Sequence, residues 1–502
     1  MKRATALKKG AFSKAILPEG TGNLFLIALA SIAFNYYMPV TALKDLWFLG
    51  LIIFYLRSDD EPFWLAVMLI LNDGFAGFFG IRGVEISSLG LPDFELGHIY
   101  VIALVFKVVM KGDYIAPFYR NWLVVLSLFI AVLFIRGAME GIPYEYNIYL
   151  RTIRNIFPFL LFPLIPGLMV KTVQYERLFS FIFLLAIVAF FTQLFSIAAG
   201  SSPMVMLGLR EGPLIMDLDE REWRGLFNSG VNLMALFASL FYLASAKEVY
   251  PRVYLYIIMI VVSSTIFFSA TRGWIIGFAL IVLLFFIFIQ KVNLKRLFAF
   301  LIIATVSLQI ITLNPRFRTQ FNNAIRRTLT IETVIEGDLT AGGTVSRITE
   351  QGPVVMRVWR ESPFIGWGFS DTYYEYYNTH VGNQTILLHS GVVGYALLLL
   401  FVLFFLFRLW QLSLVTYGRG VYSSSLLVFP IFFLGWFFIH STSGQQFGYT
   451  TGYIFAIPQS IWFAFGATLY RAINRDLNAH ARRKKHTSSG RNRYRRLRIA
   501  RS

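Results

Sequence analysis

Cysteine is absent from the 502 residues. That excludes disulfides, thiolate nucleophiles, cysteine-ligated zinc and iron–sulfur clusters, and it leaves the redox compartment open. Acidic residues are scarce, 27 against 46 Lys and Arg. No HExxH or paired-carboxylate metal motif accompanies the histidines, so a mechanism without metal or other cofactor is expected. A nucleophile elbow, a P-loop, an internal repeat and a second soluble domain are missing as well.

Hydrocarbon-like residues are plentiful instead. The chain is 56% hydrophobic and 17% aromatic, with mean hydropathy +0.61, whereas soluble domains average about 45–50% apolar even with glycine counted. Apolar runs near the ~20 residues needed to cross a bilayer recur from residue 23 to residue 470. The expectation is an all-α polytopic membrane protein. The runs predict about 14 transmembrane helices (12–14). They fall near 23–40, 44–57, 62–80, 98–111, 121–136, 156–170, 178–199, 229–246, 253–270, 273–290, 297–313, 386–408, 421–440 and 451–470. The first has no small-residue cleavage site after it and reads as a retained helix, not a signal peptide.

A net charge of +19 could suggest nucleic acid, but in such a chain it fits the excess of Lys and Arg on the cytoplasmic side. Segment 1–22 is basic. Segment 471–502 holds twelve Lys or Arg and one acid, Asp476, and its lack of apolar content predicts a disordered cytoplasmic tail. With both termini inside, Lys107, Lys111, Lys171, Arg177, Lys247 and Arg252 fall on cytoplasmic turns. The chain then divides into a bundle over 23–313, a long external loop over 314–385 and closing helices over 386–470. A loop of that length is functional or disordered. Its aromatics, from Trp359 to Tyr377, argue for short helices on the membrane surface.

Candidate chemistry collects on the external side. Arg272, in SATRGWIIGF, stands where two apolar runs meet almost without a loop. A charge so near hydrocarbon is costly unless it meets a partner, and a guanidinium fork matches phosphate oxygens bidentately. Arg224, in REWRGLFNSGVN, precedes the next run in the same way. Most other external arginines, Arg347 and Arg357 among them, read as a solvated face. His380, Asn383 and His389 crowd the mouth of the run in NTHVGNQTILLHSGVVGYALLLL. Nine residues apart, the two histidines need share no helix face, so a metal site is weakly supported. The glycines of FIGWGFS read as a turn more readily than as a phosphate cradle.

The order of these features resembles the O-antigen ligase and O-antigen polymerase superfamily. TRG at the head of a run is similar to the family's Ser-Arg-Gly element, and RGLFNSGVN to its earlier loop motif. RVWRESPFIGWGFSDTY resembles its tryptophan-and-proline stretch. His380, eleven residues before Gly391 in GVVG, matches its histidine leading into a helix. Val381 stands where the family has asparagine, with Asn383 as the nearest replacement, and His389 stands where a glutamate is common. The resemblance covers residues 221–400 in order. It implies an enzyme, a membrane glycosyltransferase that moves glycan from an undecaprenyl diphosphate carrier to an acceptor hydroxyl at the periplasmic face of the bacterial inner membrane. His380 would be catalytic, Arg272 and Arg224 would hold the diphosphate, and Asn383, His389, Arg347 and Arg357 would assist. Implied partners are the carrier-linked donor, a glycan or lipid acceptor, membrane lipids and a chain-length regulator protein, with no nucleic acid. An O-antigen or exopolysaccharide polymerase is the first expectation and a ligase acting on lipid A core or protein the second. A lipid-linked-glycan flippase or transporter is the alternative of another class, and it would bury charges near the bilayer midplane.

Overall fold

The computed structural model describes residues 17–78, 83–86, 94–112, 117–140, 156–201, 203–208, 216–217, 222–223, 228–290, 314–335, 347–378, 380–417, 420–443, 447–450 and 452–499. Most of these are helical. In chain order the helices are α1 Thr21–Tyr37, α2 Thr41–Arg57, α3 Glu61–Asn72, α4 Leu96–Lys111, α5 Pro117–Met139 and α6 Phe157–Leu168. They continue with α7 Thr172–Ala199, α8 Ser229–Ala244, α9 Arg252–Phe268, α10 Arg272–Phe285 and α11 Pro315–Ile335. The last five are α12 Gly352–Trp359, α13 Asp371–Tyr376, α14 Gly382–Val415, α15 Val428–Ser443 and α16 Tyr453–Ile499. A two-residue antiparallel ladder, β1 Met216–Asp217 with β2 Glu222–Trp223, is the sheet among the described residues.

Four helices are long and apolar enough to cross a membrane: Pro117–Met139, Thr172–Ala199, Arg272–Gln290 and Gly382–Val415. Five shorter apolar helices accompany them. The expected 14 spans are therefore not reached among the described residues, and the run at 297–313 lies outside them. Local chemistry shortens some of the rest. The apolar run 62–80 gives only α3, because Gly74, Phe75, Ala76 and Gly77 all take positive φ, a conformation no helix can continue through.

The buried layer is α3, α7 and α8. Every residue of α3 is buried, α8 is buried almost throughout, and both pack on α7. Around them α2, α4, α5 and α10 turn Phe54, Val109, Leu128 and Leu283 outward. Large apolar side chains exposed in this number suit a lipid surface.

Contacts between helix ends define two faces. At one end Lys247 pairs with Glu176 at 2.9 Å, Arg177 with Asp60 at 2.7 Å and Lys111 with Asp59 at 2.5 Å, and Ala246 N donates to Val421 O. These are turns the charge pattern groups together. At the other end meet the starts of α4, α8, α10, α14 and α16 and the ends of α5, α7 and α9. A Cβ on Gly97 would strike Tyr453, one on Gly137 would strike Phe369, and one on Gly230 would strike Pro458. α16 runs from Tyr453 on to Ile499. Its span has already met the cost of nucleation, and Ala, Arg, Lys and Leu propagate a helix well.

One buried ion pair fastens the first face. Lys107 Nζ donates to Glu61 Oε1, to Ser58 O at 2.7 Å and to Tyr55 O at 3.2 Å. Tyr55 in turn donates to Glu61 Oε2 at 3.2 Å. Lys107→Met should cost about 3–5 kcal/mol, since Glu61 would be left buried with no cation beside it. Thermal unfolding in nanodiscs measures this. Lys107→Met with Glu61→Leu should regain most of the loss, and a double variant as unstable as the single would refute the assignment.

Candidate functional site

The approach to α14 is held by one residue, through its side chain and its backbone carbonyl. Asn378 Oδ1 accepts from His380 N at 2.9 Å, its carbonyl accepts from Thr385 Oγ1 at 2.6 Å, and its Nδ2 donates to Gln351 Oε1 at 3.3 Å. This asparagine turn lifts His380 into solvent, where it is exposed, while Val381 beside it is buried. An exposed imidazole on a fixed backbone can meet a substrate hydroxyl. Asn383, half-buried in the first turn of α14, sits close by.

His389 is a different kind of residue. Seven helical positions beyond Gly382 place it about 10 Å down the axis, and it is buried. Its ring packs against Tyr373 at 4.4 Å, Phe369 at 4.8 Å and Tyr449 at 6.3 Å between centroids. It is part of an aromatic core and is not brought to the mouth with His380. One histidine in water and one in the core share no ligand, and among the described residues no group of three or more His, Asp or Glu is arranged for a metal.

FIGWGFS joins this core from outside. Trp367 N donates to Leu388 O at 2.9 Å, Gly368 N to His389 O at 2.8 Å and Phe369 N to Leu133 O at 3.3 Å. These amides are committed to protein carbonyls and cannot cradle a phosphate. In return Val392 N donates to Pro363 O at 2.8 Å and Val393 N to Phe364 O at 3.0 Å, across a kink in α14 at Gly391. Gly391 has φ +61°, and a Cβ there would stand 2.2 Å from Phe364 O. The loop is thus a backbone interlock that fixes the entrance of α14. Arg136, at the end of α5, reinforces it. Its guanidinium lies 5.5 Å from the Trp367 ring, reaches Ser362 Oγ at 3.5 Å and pairs with Glu140. It carries a charge to this surface that the sequence reading passed over.

Arg272 is the first residue of α10 and is half-buried. Lying across the neighbouring helix mouths is α11. Arg316 Nη1 donates to Ala198 O at 2.5 Å at the end of α7, and Gln320 Nε2 to Phe268 O at 2.6 Å at the end of α9. Phe317 and Phe321 pack on Phe268 and Phe267, and the helix also touches α10 and β2. Arg318 and Arg326 stay exposed on its outer side. The arrangement therefore brings Arg316 to the end of α7, on a helix that also touches α10, which Arg272 opens, with Arg318 and Arg326 further along α11. Phe317, Gln320, Phe321 and Ala324 at spacings of three and four were the available sign of this amphipathic helix. Arg224 directly follows β2 and lies outside the described residues. Arg347 opens a π-helical turn that runs into α12, and Arg357 is exposed on α12. Both accompany the His380 side, because α12 packs on α14.

The two groups are attached to different helices, Arg272 to α10 and His380 to the lead into α14, and both helices pack on α15. No protein family and no curated protein matches this chain. Its family resemblance is a reading of the ordered sequence motifs alone.

Proposed function

We propose that the chain is a membrane glycosyltransferase that transfers or polymerises undecaprenyl-diphosphate-linked oligosaccharide, a polymerase of O-antigen or exopolysaccharide in the first instance. The observation that carries the reading is the gathering of one exposed histidine and several arginines at a single end of an apolar bundle. In the reaction an acceptor hydroxyl oxygen forms a bond to the donor's anomeric carbon. His380 takes the hydroxyl proton. The bond from that carbon to the carrier phosphate breaks, and the electron pair leaves with the diphosphate, whose charge Arg272, with Arg224, stabilises. The carrier is lipid-anchored, so the chemistry belongs at the mouths of the helices.

Transport is less well supported. Asp45, Glu61, Asp73 and Lys107 are buried, but each lies at or near a helix end, not midway along a span. The basic N-terminal segment and tail motivate an inner-membrane orientation with both termini cytoplasmic and His380 facing the periplasm. Single cysteines placed at Ser346 and Ser488 of this cysteine-free chain test it with an impermeant reagent in spheroplasts. Ser346→Cys should label and Ser488→Cys should not.

The surface glycan of a deletion strain tests the function. Single repeats on the surface lipid mark a lost polymerase, and long chains left on undecaprenyl mark a lost ligase. An unchanged glycan profile, with the carrier not sequestered, removes the proposal.

A further inference from the structure

Beside His380 lies an open cleft of about 320 Å³, within the ~300–1,000 Å³ range of small-molecule sites. Glu350 and Gln351, at the end of the π-helical turn Arg347–Gln351, form one wall. Glu375, Tyr376, Tyr377 and Asn378, at the end of α13 and just after it, form the other. Val354 and Val355 of α12 give it an apolar base.

Its chemistry differs from that of the arginine side. The lining holds two carboxylates and no Lys or Arg, so it repels a diphosphate. Carboxylates accept hydrogen bonds only, while the amides of Gln351 and Asn378 both donate and accept. Two half-buried tyrosines add aromatic surface with a polar tip. Acceptors in number, paired amides and ring faces together suit a molecule that carries many hydroxyl donors on an apolar ring frame. That is a sugar.

The walls are also coupled to the proposed base. Asn378 Nδ2 bridges the cleft to Gln351 Oε1 at 3.3 Å, while Asn378 Oδ1 holds the His380 amide at 2.9 Å. Tyr377 continues inward to Tyr373, 5.6 Å away between ring centroids, and Tyr373 to His389 at 4.4 Å. A group seated in the cleft is thus two residues from His380 and braced against the aromatic core.

We infer that this cleft binds a saccharide, the terminal sugar of the glycan acceptor, and presents its hydroxyl to His380. The inference rests on the transferase reading for the words acceptor and hydroxyl, but saccharide binding itself is open to separate measurement. The full chain in nanodiscs is titrated with the methyl glycosides of glucose, galactose, mannose and N-acetylglucosamine, read by saturation-transfer NMR. At least one should show transfer. Glu375→Gln and Tyr376→Ala should each weaken it by roughly tenfold, the scale of one lost hydrogen bond to a charged acceptor. Inorganic pyrophosphate should leave it unchanged. No transfer from any glycoside, or transfer unaltered in both variants, overturns the inference. So does sensitised terbium luminescence that Glu375→Gln abolishes in a protein that binds no glycoside, since the cleft would then be a cation site. A deletion strain with an unchanged surface glycan would remove the transferase reading, and glycoside binding lost in Glu375→Gln would still leave the cleft a saccharide site.

Discussion

His380→Ala is expected to lower glycan transfer by about 10²–10⁴-fold, the usual contribution of a general base, while the lipid-linked donor still binds. His380 is exposed, and its backbone is fixed by the Asn378 side chain, so loss of the ring removes a chemical group without opening a cavity. Imidazole exchanges its proton near neutrality, and only the neutral ring can accept one from a sugar hydroxyl. His389→Ala should behave differently, because it empties a space bounded by Phe369, Tyr373 and Tyr449. Its effect should fall on thermal stability, by roughly 2–5 kcal/mol as for other large core truncations. A reconstituted assay with synthetic undecaprenyl-diphosphate oligosaccharide, reading turnover and donor affinity separately across pH, decides the matter. If His380→Ala loses donor affinity in step with turnover, the histidine is a phosphate ligand. If neither quantity moves, the base lies elsewhere.

Continuous apolar runs made the helices of this chain legible, because hydrocarbon requires the same property at every turn. Their ends were less legible. The run read as 386–408 is part of a helix from Gly382 to Val415 whose direction changes at Gly391. That kink depends on a partner, the loop carrying Gly366 and Gly368, more than twenty residues upstream. The glycines of FIGWGFS signalled a turn but not what the turn packs against. The separate fates of His380 and His389 were hidden for the same reason. Both stand at a loop–helix junction in sequence, and only the fold puts Tyr373 and Phe369 around one of them. For α11 the sign was present and weak, since arginines at positions 316, 318, 326 and 327 mask a pattern of apolar residues on its inner side. Along the tail, composition and helix propagation point in opposite directions. Composition alone reads as disorder, but a helix already formed through Leu469 extends at little further cost.

The second large effect is expected at Arg272. Arg272→Lys keeps a positive charge but loses the planar fork that meets two phosphate oxygens together, so turnover should fall well below the wild type. Arg272→Ala should fall further, by about 10²–10³-fold, the scale set by removing one preorganised donor from a developing oxyanion. The neighbouring arginines sort by what they touch. Arg316 caps the carbonyl end of α7 through Ala198 O, so its loss should disturb the seating of α11 as well as any ligand. Arg318 is exposed on the outer side of α11, and Arg318→Ala should produce a smaller loss that high salt conceals, because exposed charges are screened. Arg224 enters the same comparison, since it follows the strand against which α11 packs. Inorganic pyrophosphate supplies the decisive control. It should compete with the donor in the wild type and in His380→Ala, and it should lose most of its inhibitory effect in Arg272→Ala. The assay is run at matched protein abundance in the membrane. Near-normal transfer by Arg272→Ala, with pyrophosphate inhibition intact, would leave Arg272 with a purely structural place at the head of α10 and would move the diphosphate site onto α11.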